Sequence, residues 1–142
     1  MTNALPANTD TFTALKIDVN NYSITEIELP VNNDIEPYYP HLNCRVFTVG
    51  GYLDDDGHDC IYVDDEGLFV PNQRFFYIDG QYQPLAGNAI IVGTDDEGRS
   101  IAPKITLDEL RKLTEFIDDP KLWLMMGGHA KLDKAQRRYD DE

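Results

Sequence analysis

Cysteines and long apolar runs are scarce in this chain. Two cysteines in 142 residues are too few for a disulfide framework, and no apolar run approaches the ~20 residues of a membrane helix. The first residues carry neither the basic start nor the apolar core of a signal peptide. We therefore expect a reduced, cytoplasmic protein that does not associate with membranes.

Basic residues are scarce as well. The chain has 12 Lys and Arg against 26 Asp and Glu, for a formal net charge of −14, and residues 1–100 hold 17 acidic but only 4 basic residues. A surface of this sign repels phosphate, so direct binding to nucleic acid is not expected. The one basic cluster, Lys131, Lys134, Arg137 and Arg138, lies among acids in the last residues, where a solvated mixed-charge tail is the simpler interpretation.

Catalytic and cofactor-binding motifs are also missing. The chain has no glycine loop followed by lysine for phosphate, no dinucleotide fingerprint and no serine flanked by glycines. Carboxylates are abundant, but acids in glycine turns are expected to be solvated, whereas a general acid needs burial or a like-charge neighbour in a cleft. We therefore predict no enzyme activity and no cofactor.

The sequence contains residues that suit zinc and residues that suit calcium, but neither set has the spacing of a metal site. His41, Cys44, His58 and Cys60 are residue types that suit zinc, but His58 and Cys60 are separated by one residue, which gives no chelating turn. A calcium site would use the acids Asp54, Asp56, Asp59, Asp64 and Glu66. On the helix-loop-helix calcium template that starts at Asp54, Asp59 stands where glycine is required.

The chain does contain three acidic tetrapeptides that end in glycine. They are Asp54-Asp55-Asp56-Gly57, Asp64-Asp65-Glu66-Gly67 and Asp95-Asp96-Glu97-Gly98. Asp favours the entry to a β-turn, and glycine accepts the positive φ that other residues resist. The pattern predicts three β-turns that connect strands, so acidic side chains are concentrated at strand ends.

The remaining pattern predicts an α+β fold. Short strand-like runs, among them Leu68 to Val70, indicate a mostly antiparallel twisted sheet of six to eight strands. Thr106 and Glu109 form a capping box that starts one covering helix from Leu107 to Asp118. The apolar segment Leu122 to Met126 is expected to seal an edge of the sheet, and it or an exposed strand edge could form a homodimer. We divide the chain into a flexible leader (1–12), one domain (13–128) and a charged helical or disordered tail (129–142).

Five short segments within residues 14–100 form a recognisable series. They are Ala14-Leu15-Lys16-Ile17-Asp18, Val49-Gly50-Gly51-Tyr52, Ile61-Tyr62-Val63-Asp64-Asp65-Glu66-Gly67, Pro71-Asn72 and Leu85-Ala86-Gly87-Asn88-Ala89-Ile90-Ile91-Val92-Gly93. In this order the chain resembles a family of small proteins of unknown function found mainly in bacteriophages, prophages and conjugative plasmids. The resemblance implies an accessory protein of a mobile element, which would act in the cytoplasm of a bacterial host, and it transfers no activity. Residues 34–47 depart from it, because prolines interrupt a stretch that more often looks helical in the family.

The acidic turns suggest what such a protein binds. Residues i and i+2 on one strand face are ~6.5 to 7 Å apart, close to the phosphate spacing of a nucleic-acid strand. We therefore predict that the protein binds, and thereby inhibits, a basic host protein of nucleic-acid binding or defence. The predicted contacts are Asp54, Asp55, Asp56, Asp64, Asp65, Glu66, Asp95, Asp96 and Glu97.

Two alternatives stay open on sequence grounds. An acidic surface can serve solubility alone. A small-molecule or nucleotide-signal binding module is the other alternative, with contacts from Gly50, Gly51 and Tyr52 and from the aromatic strands.

Overall fold

A computed structural model describes residues 10–140 of the chain, with side chains through Arg137. The strands are β1 (Thr11–Asp18), β2 (Ser23–Pro30), β3 (Phe47–Tyr52), β4 (Asp59–Asp64), β5 (Phe75–Ile78), β6 (Leu85–Ala86), β7 (Ala89–Thr94), β8 (Ser100–Ile101) and β9 (Thr114–Ile117). The helices are α1 (Tyr38–Leu42), α2 (Leu107–Leu113), α3 (Pro120–Trp123) and α4 (His129–Asp140). The predicted α+β class is confirmed, although the described residues form nine strands in two sheets, not six to eight in one.

The larger sheet is antiparallel throughout and has β7 at its centre. Its strand order is β2-β1-β7-β4-β3, and β8 pairs with the end of β7. β1 and β4 both pair with β7, so that Ile91 lies opposite Leu15 on one side and Ile61 on the other. Residues 89–93 are all buried. A strand covered on both faces must be apolar almost throughout, which explains its uninterrupted run Ala-Ile-Ile-Val-Gly.

A hydrophobic core lies on each face of this sheet. On one face, Ile17 and Ile61 pack with Phe76 of β5 and Leu110 of α2. On the other face, a smaller cluster includes Tyr38 of α1. The proline-interrupted residues 34–47 therefore contain the short helix α1, which closes the second face.

The smaller sheet corrects the prediction of one long helix. Its strand order is β6-β5-β9. The capping box of Thr106 and Glu109 is confirmed, with both hydrogen bonds present, but α2 ends at Leu113 and the chain continues as β9. Thr114 donates its side-chain hydroxyl to the carbonyl of Leu110 at 2.6 Å, and Phe116 pairs with Phe76. β-branched and aromatic residues at 114–117 favour pairing with β5 over another helical turn.

Three further expectations change. β1 begins at Thr11 and buries Phe12, so the domain starts before residue 13; residues 1–9 of the predicted leader lie outside the described part. The predicted strand at 68–70 is replaced by a 3₁₀ turn, Gly67–Phe69. The segment Leu122 to Met126 covers the sheet only in part, since Trp123 packs on Tyr77 whereas Met125 is 80% exposed. α4 covers most of the predicted tail and buries Ala135.

Candidate functional site

The structure divides the three acidic turns between the two ends of the larger sheet. β4 and β7 are antiparallel, with Asp59 opposite Gly93 and Val63 opposite Ala89. The turn before β4 and the turn after β7 therefore share one end, where Thr94 donates its backbone N–H to the carbonyl of His58 at 2.8 Å. The turn at 64–66 follows the far end of β4, about 15–20 Å away along a strand of this length. The nine predicted contacts thus form groups of six and three.

In each turn, the carboxylate of the first acid accepts hydrogen bonds from backbone N–H groups. Asp54 accepts the N–H of Asp59 at 3.0 Å, and Asp64 accepts that of Glu66 at 2.8 Å. Asp95 accepts the N–H groups of Glu97 and Arg99, both at 2.9 Å. These bonds satisfy turn donors in the way expected of Asp at the start of a turn.

The glycines of the turns are not equivalent. Gly57 and Gly98 have φ of 73° and 80°, as the β-turn prediction requires. Gly67 does not have positive φ, and the prediction is wrong there. It opens the 3₁₀ turn, and a Cβ at this position would lie 3.0 Å from the carbonyl oxygen of Ala86, so close packing accounts for the absence of a side chain.

Basic side chains neutralise part of each turn. The ion pairs are Asp56 with Lys104 at 3.3 Å, Arg99 with Asp95 and Glu97, both at 2.9 Å, and Arg45 with Glu66 at 2.7 Å. Backbone N–H groups hold the pKa of Asp56 and Asp95 below the usual value, and the Arg45 hydrogen bond does the same for Glu66.

The middle acid of each turn is left without a counter-ion. Asp55, Asp65 and Asp96 are exposed, and none of the hydrogen bonds and ion pairs found within the described residues involves their carboxylates. Their charge therefore faces solvent unbalanced. They are the acids best placed to meet a cation from outside.

A buried carboxylate holds the shared end together. Asp59 is 2% exposed and accepts the backbone N–H groups of Lys104 and Ile105 at 2.8 and 2.9 Å. It also lies 2.7 Å from Nδ1 of His58. Asp59 thus ties the start of β4 to the segment that leads into α2. Sequence reasoning treated it only as one more acid, because its backbone partners lie far along the chain.

Asp59 also belongs to a group with metal-ligating side chains. In the described part of the chain, the only cluster of three or more such residues is Asp54, His58 and Asp59, with ligand atoms within 4.8 Å of one another. Both oxygens of Asp59 and Nδ1 of His58 already serve the hydrogen bonds above. The cluster is explained as an internal anchor. His41, Cys44, His58 and Cys60 do not form a cluster of zinc ligands among the described residues. The acids of the calcium set are divided between the sheet ends, with Asp54, Asp56 and Asp59 at one end and Asp64 and Glu66 at the other.

Asp79 adds a further acid to this end. With Asp54 and Asp55 it lines a small cavity of about 100 Å³. Asp79 also lines a neighbouring cavity of about 290 Å³ with Lys131 and Lys134 of α4. α4 therefore places two lysines next to the acids at this end of the sheet. We call the following set the acidic end: Asp54, Asp55, Asp56, Asp79, Asp95, Asp96 and Glu97.

The alternative ligand residues lie on the edge strand β3. Gly50, Gly51 and Tyr52 line a cavity of about 220 Å³, smaller than the ~300–1,000 Å³ usual for ligand pockets. Both glycines have structural explanations. A Cβ on Gly50 would lie 3.0 Å from Val63, and one on Gly51 would lie 2.9 Å from Oε1 of Gln81. The two glycines therefore lie against neighbouring side chains, whereas Tyr52 is exposed at the sheet edge.

The fold and the acidic end together describe a small antiparallel α+β domain with charged strand connections. The chain belongs to a family described as a domain of unknown function (DUF3846), whose profile matches residues 12–115. The matched part contains all three acidic turns and Asp59. Comparison with the curated proteins and with the solved structures finds no match.

None of the helices within the described residues is both long and apolar enough to cross a lipid bilayer.

Proposed function

We propose that this protein is a non-enzymatic binding protein whose acidic end contacts a basic surface of a partner protein. The observation that carries the proposal is the placement of two acidic turns at one end of the sheet. There, Asp55 and Asp96 are exposed without counter-ions. Two turns on neighbouring elements of one sheet present their charges in a fixed arrangement, which lowers the entropic cost of recognition.

Rigidity of this end supports the proposal. The hydrogen bonds of Asp59 to Lys104 and Ile105 tie β4 to the start of α2. Thr94 bonds to His58 and so ties the two turns to each other. Charges held in this way create a directional potential, which steers a basic partner and sets its orientation.

The class of partner follows from the charge and from the resemblance. A protein with net charge −14 attracts basic surfaces, and the basic surfaces of nucleic-acid-binding proteins are built to receive rows of negative charge. If the chain is an accessory protein of a phage or plasmid, as its resemblance implies, a host nucleic-acid-binding or defence protein is the expected target. Occupation of its basic surface would inhibit it.

The third turn is not part of this proposed surface. Asp64, Asp65 and Glu66 lie at the opposite sheet end, and Arg45 already pairs with Glu66. We therefore restrict the proposed contacts of a single basic surface to the acidic end.

Binding of a short fluorescein-labelled oligolysine peptide, followed by anisotropy at low and moderate salt, tests the proposal. The double variant Asp55→Asn/Asp96→Asn removes the two unbalanced charges. Since exposed charge interactions contribute about 0.2–1 kcal/mol each, the loss of two predicts a rise in the Kd of about 2- to 30-fold at low salt. The difference should shrink as salt is added.

The matched control is Glu26→Gln/Asp65→Asn, which makes the same change in net charge at exposed positions outside the acidic end. We expect the control to change the Kd less than about 2-fold. Equal weakening by both double variants would show that net charge alone attracts the peptide, and the proposed surface would be wrong.

A further inference from the structure

The C-terminal helix α4 brings basic side chains to the border of the acidic end. Residues 129–140 hold four basic and two acidic residues, in a chain that is otherwise strongly acidic. Lys131 and Lys134 are three positions apart, so they lie on one face of the helix. Both line the cavity of about 290 Å³ that Asp79 of the acidic end also lines. α4 is therefore a local exception to the negative charge, at the place where that charge is proposed to act.

Shared lining residues connect this cavity with the rest of the acidic end. Asp79, Gly80 and Leu113 line both this cavity and the cavity of about 100 Å³ that Asp54 and Asp55 also line. Asp79 is fixed in the border between them, because its backbone N–H donates to the carbonyl of Leu113 at 2.8 Å. Charges in neighbouring cavities still interact at physiological salt, where the Debye length is about 8 Å. A cation that approaches Asp54 or Asp55 from outside therefore meets an acid that α4 already borders.

The two lysines of α4 differ in the partners that they have. Lys131 pairs with Glu115 of β9, which balances its charge. Lys134 is exposed, and no ion pair found in the described part of the chain involves it. The nearest acid in sequence, Asp133, is displaced from Lys134 by about 100° around the helix and does not line the cavity. Lys134 is therefore the cation that α4 offers to Asp79.

Few side chains hold α4 against the domain. Of its residues 129–137, Ala135 is buried and Leu132 is half-buried, while the other seven are exposed. A helix with so little buried apolar surface detaches at a low cost in free energy. The preceding helix α3 is held more firmly, since Trp123 packs on Tyr77 with ring centroids 4.9 Å apart. α4 can therefore leave its place while α3 stays attached.

A break in the helical backbone separates α4 from α3. Met126 has φ −98° and ψ 27°, and Gly127 has φ 120°, which are not helical values. The next residue, Gly128, lies so close to the ring of Trp123 that a Cβ would collide with it. Hinges are formed by a few residues at the ends of elements that absorb large changes in φ and ψ. The break at residues 126–127 has the position that such a hinge requires, between the anchored Trp123 and α4.

The acidic end does not depend on α4 for its shape. The hydrogen bonds and ion pairs that form its two turns, such as those of Asp54 with Asp59, Asp95 with Arg99 and Asp56 with Lys104, join residues within 54–104. These residues lie inside the part matched by the family profile, which ends at residue 115, whereas α4 lies beyond it. Displacement of α4 would therefore leave the proposed contact surface intact.

We propose that α4 is an autoinhibitory element, in which Lys134 competes with a basic partner for the acidic end. This inference rests on the proposed function, because both concern the same acids. An internal cation balances part of their charge and loses no translational freedom on reaching them, so it lowers the affinity for a cation from outside. A partner with several clustered cations displaces α4, whereas a single exposed lysine does not. The device thus restricts binding to strongly basic surfaces.

Charge reversal in the full chain tests the competition. The variant Lys134→Glu removes the internal cation and replaces it with an acid, so two exposed charge interactions change. In the anisotropy assay with labelled oligolysine, its Kd should fall by about 2- to 30-fold at low salt relative to the unaltered protein. The difference should shrink as salt is added, and circular dichroism verifies that the variant is folded.

The matched control is Lys121→Glu, which makes the same change in net charge at another exposed lysine. Asp79 bonds to Leu113, directly before β9 begins, whereas Lys121 follows the other end of β9. The Kd of the control should therefore fall by a smaller factor than that of Lys134→Glu.

Hydrogen–deuterium exchange followed by mass spectrometry tests the displacement. With saturating oligolysine, the backbone amides of residues 129–137 should exchange faster than in the free protein, because α4 is released. The amides of β7, in the centre of the larger sheet, serve as the internal control and should exchange at an unchanged rate.

The outcomes separate this inference from the proposed function. Equal falls in Kd for Lys134→Glu and Lys121→Glu would overturn the inference, and so would unchanged or slower exchange of residues 129–137 on binding. The proposed function would stand in both cases, provided that Asp55→Asn/Asp96→Asn weakens binding more than its own control. If that double variant does not, the acidic end is not the contact surface, and the inference is overturned together with the proposed function.

Discussion

Replacement of Asp59 by alanine should cause a large loss of stability. Asp59 is 2% exposed and accepts two backbone N–H groups, from Lys104 and Ile105. A buried donor left without an acceptor costs about 1–3 kcal/mol. Lys104 is exposed and Ile105 is half-buried, so each N–H group should cost an amount near the lower end of this range. The two donors together predict a loss of about 2–3 kcal/mol, a substantial fraction of the 5–15 kcal/mol typical of a domain.

Urea unfolding followed by circular dichroism measures this loss. With an m-value of about 2 kcal/mol/M, the midpoint of Asp59→Ala should fall by about 1–1.5 M, with the m-value unchanged. Asp59→Asn should fall between this variant and the unaltered protein. Its amide oxygen still accepts one N–H, while its amide N–H₂ group faces the other donor.

The control is Asp65→Ala, which removes an exposed carboxylate that makes no side-chain bond in the described structure, and whose effect should stay within about 0.5 kcal/mol. If Asp59→Ala and Asp65→Ala unfold at the same urea concentration, the interpretation of Asp59 as an anchor is refuted.

Two further predictions concern packing. Gly93→Ala should destabilise the fold by about 1–3 kcal/mol in the same urea assay, because its Cβ would lie 2.5 Å from the carbonyl oxygen of Ala102 and 2.6 Å from Cε1 of His58; an unchanged midpoint would contradict this packing. Burial raises the pKa of the Cys60 thiol to about 11, so iodoacetamide at mildly alkaline pH should modify the half-buried Cys44 first and reach Cys60 only on unfolding. Mass spectrometry measures both rates, and equal rates would show that Cys60 is accessible.

Local rules recovered several elements from the sequence. The capping box of Thr106 and Glu109 is a short-range signal, since both partners lie within one helical turn, and it marked the start of α2 correctly. Gly57 and Gly98 likewise met a requirement set by their own turns. In each case the determinant and the structure occupy the same few residues.

Long-range contacts explain what the sequence did not reveal. The apolar spacing of Leu113, Phe116 and Ile117 fits a helix, but pairing of β9 with β5 overrides it. Asp59 could not be told apart from its exposed neighbours, because the N–H groups that it accepts belong to residues 104 and 105. The division of the acidic turns between two sheet ends depends on the antiparallel pairing of β4 with β7, which turn chemistry does not encode.

The central position of β7 has a consequence for how the chain folds. β7 is synthesised after both β1 and β4, yet it separates them in the finished sheet. Until it arrives, the β1–β2 and β3–β4 hairpins each have an open, largely apolar edge, and the pairs such as Leu15 with Ile91 that close the sheet require a long loop to close. Between the synthesis of β4 and the insertion of β7, these open edges can pair with strands of other nascent chains. The risk of aggregation on a polysome is therefore greatest in this interval.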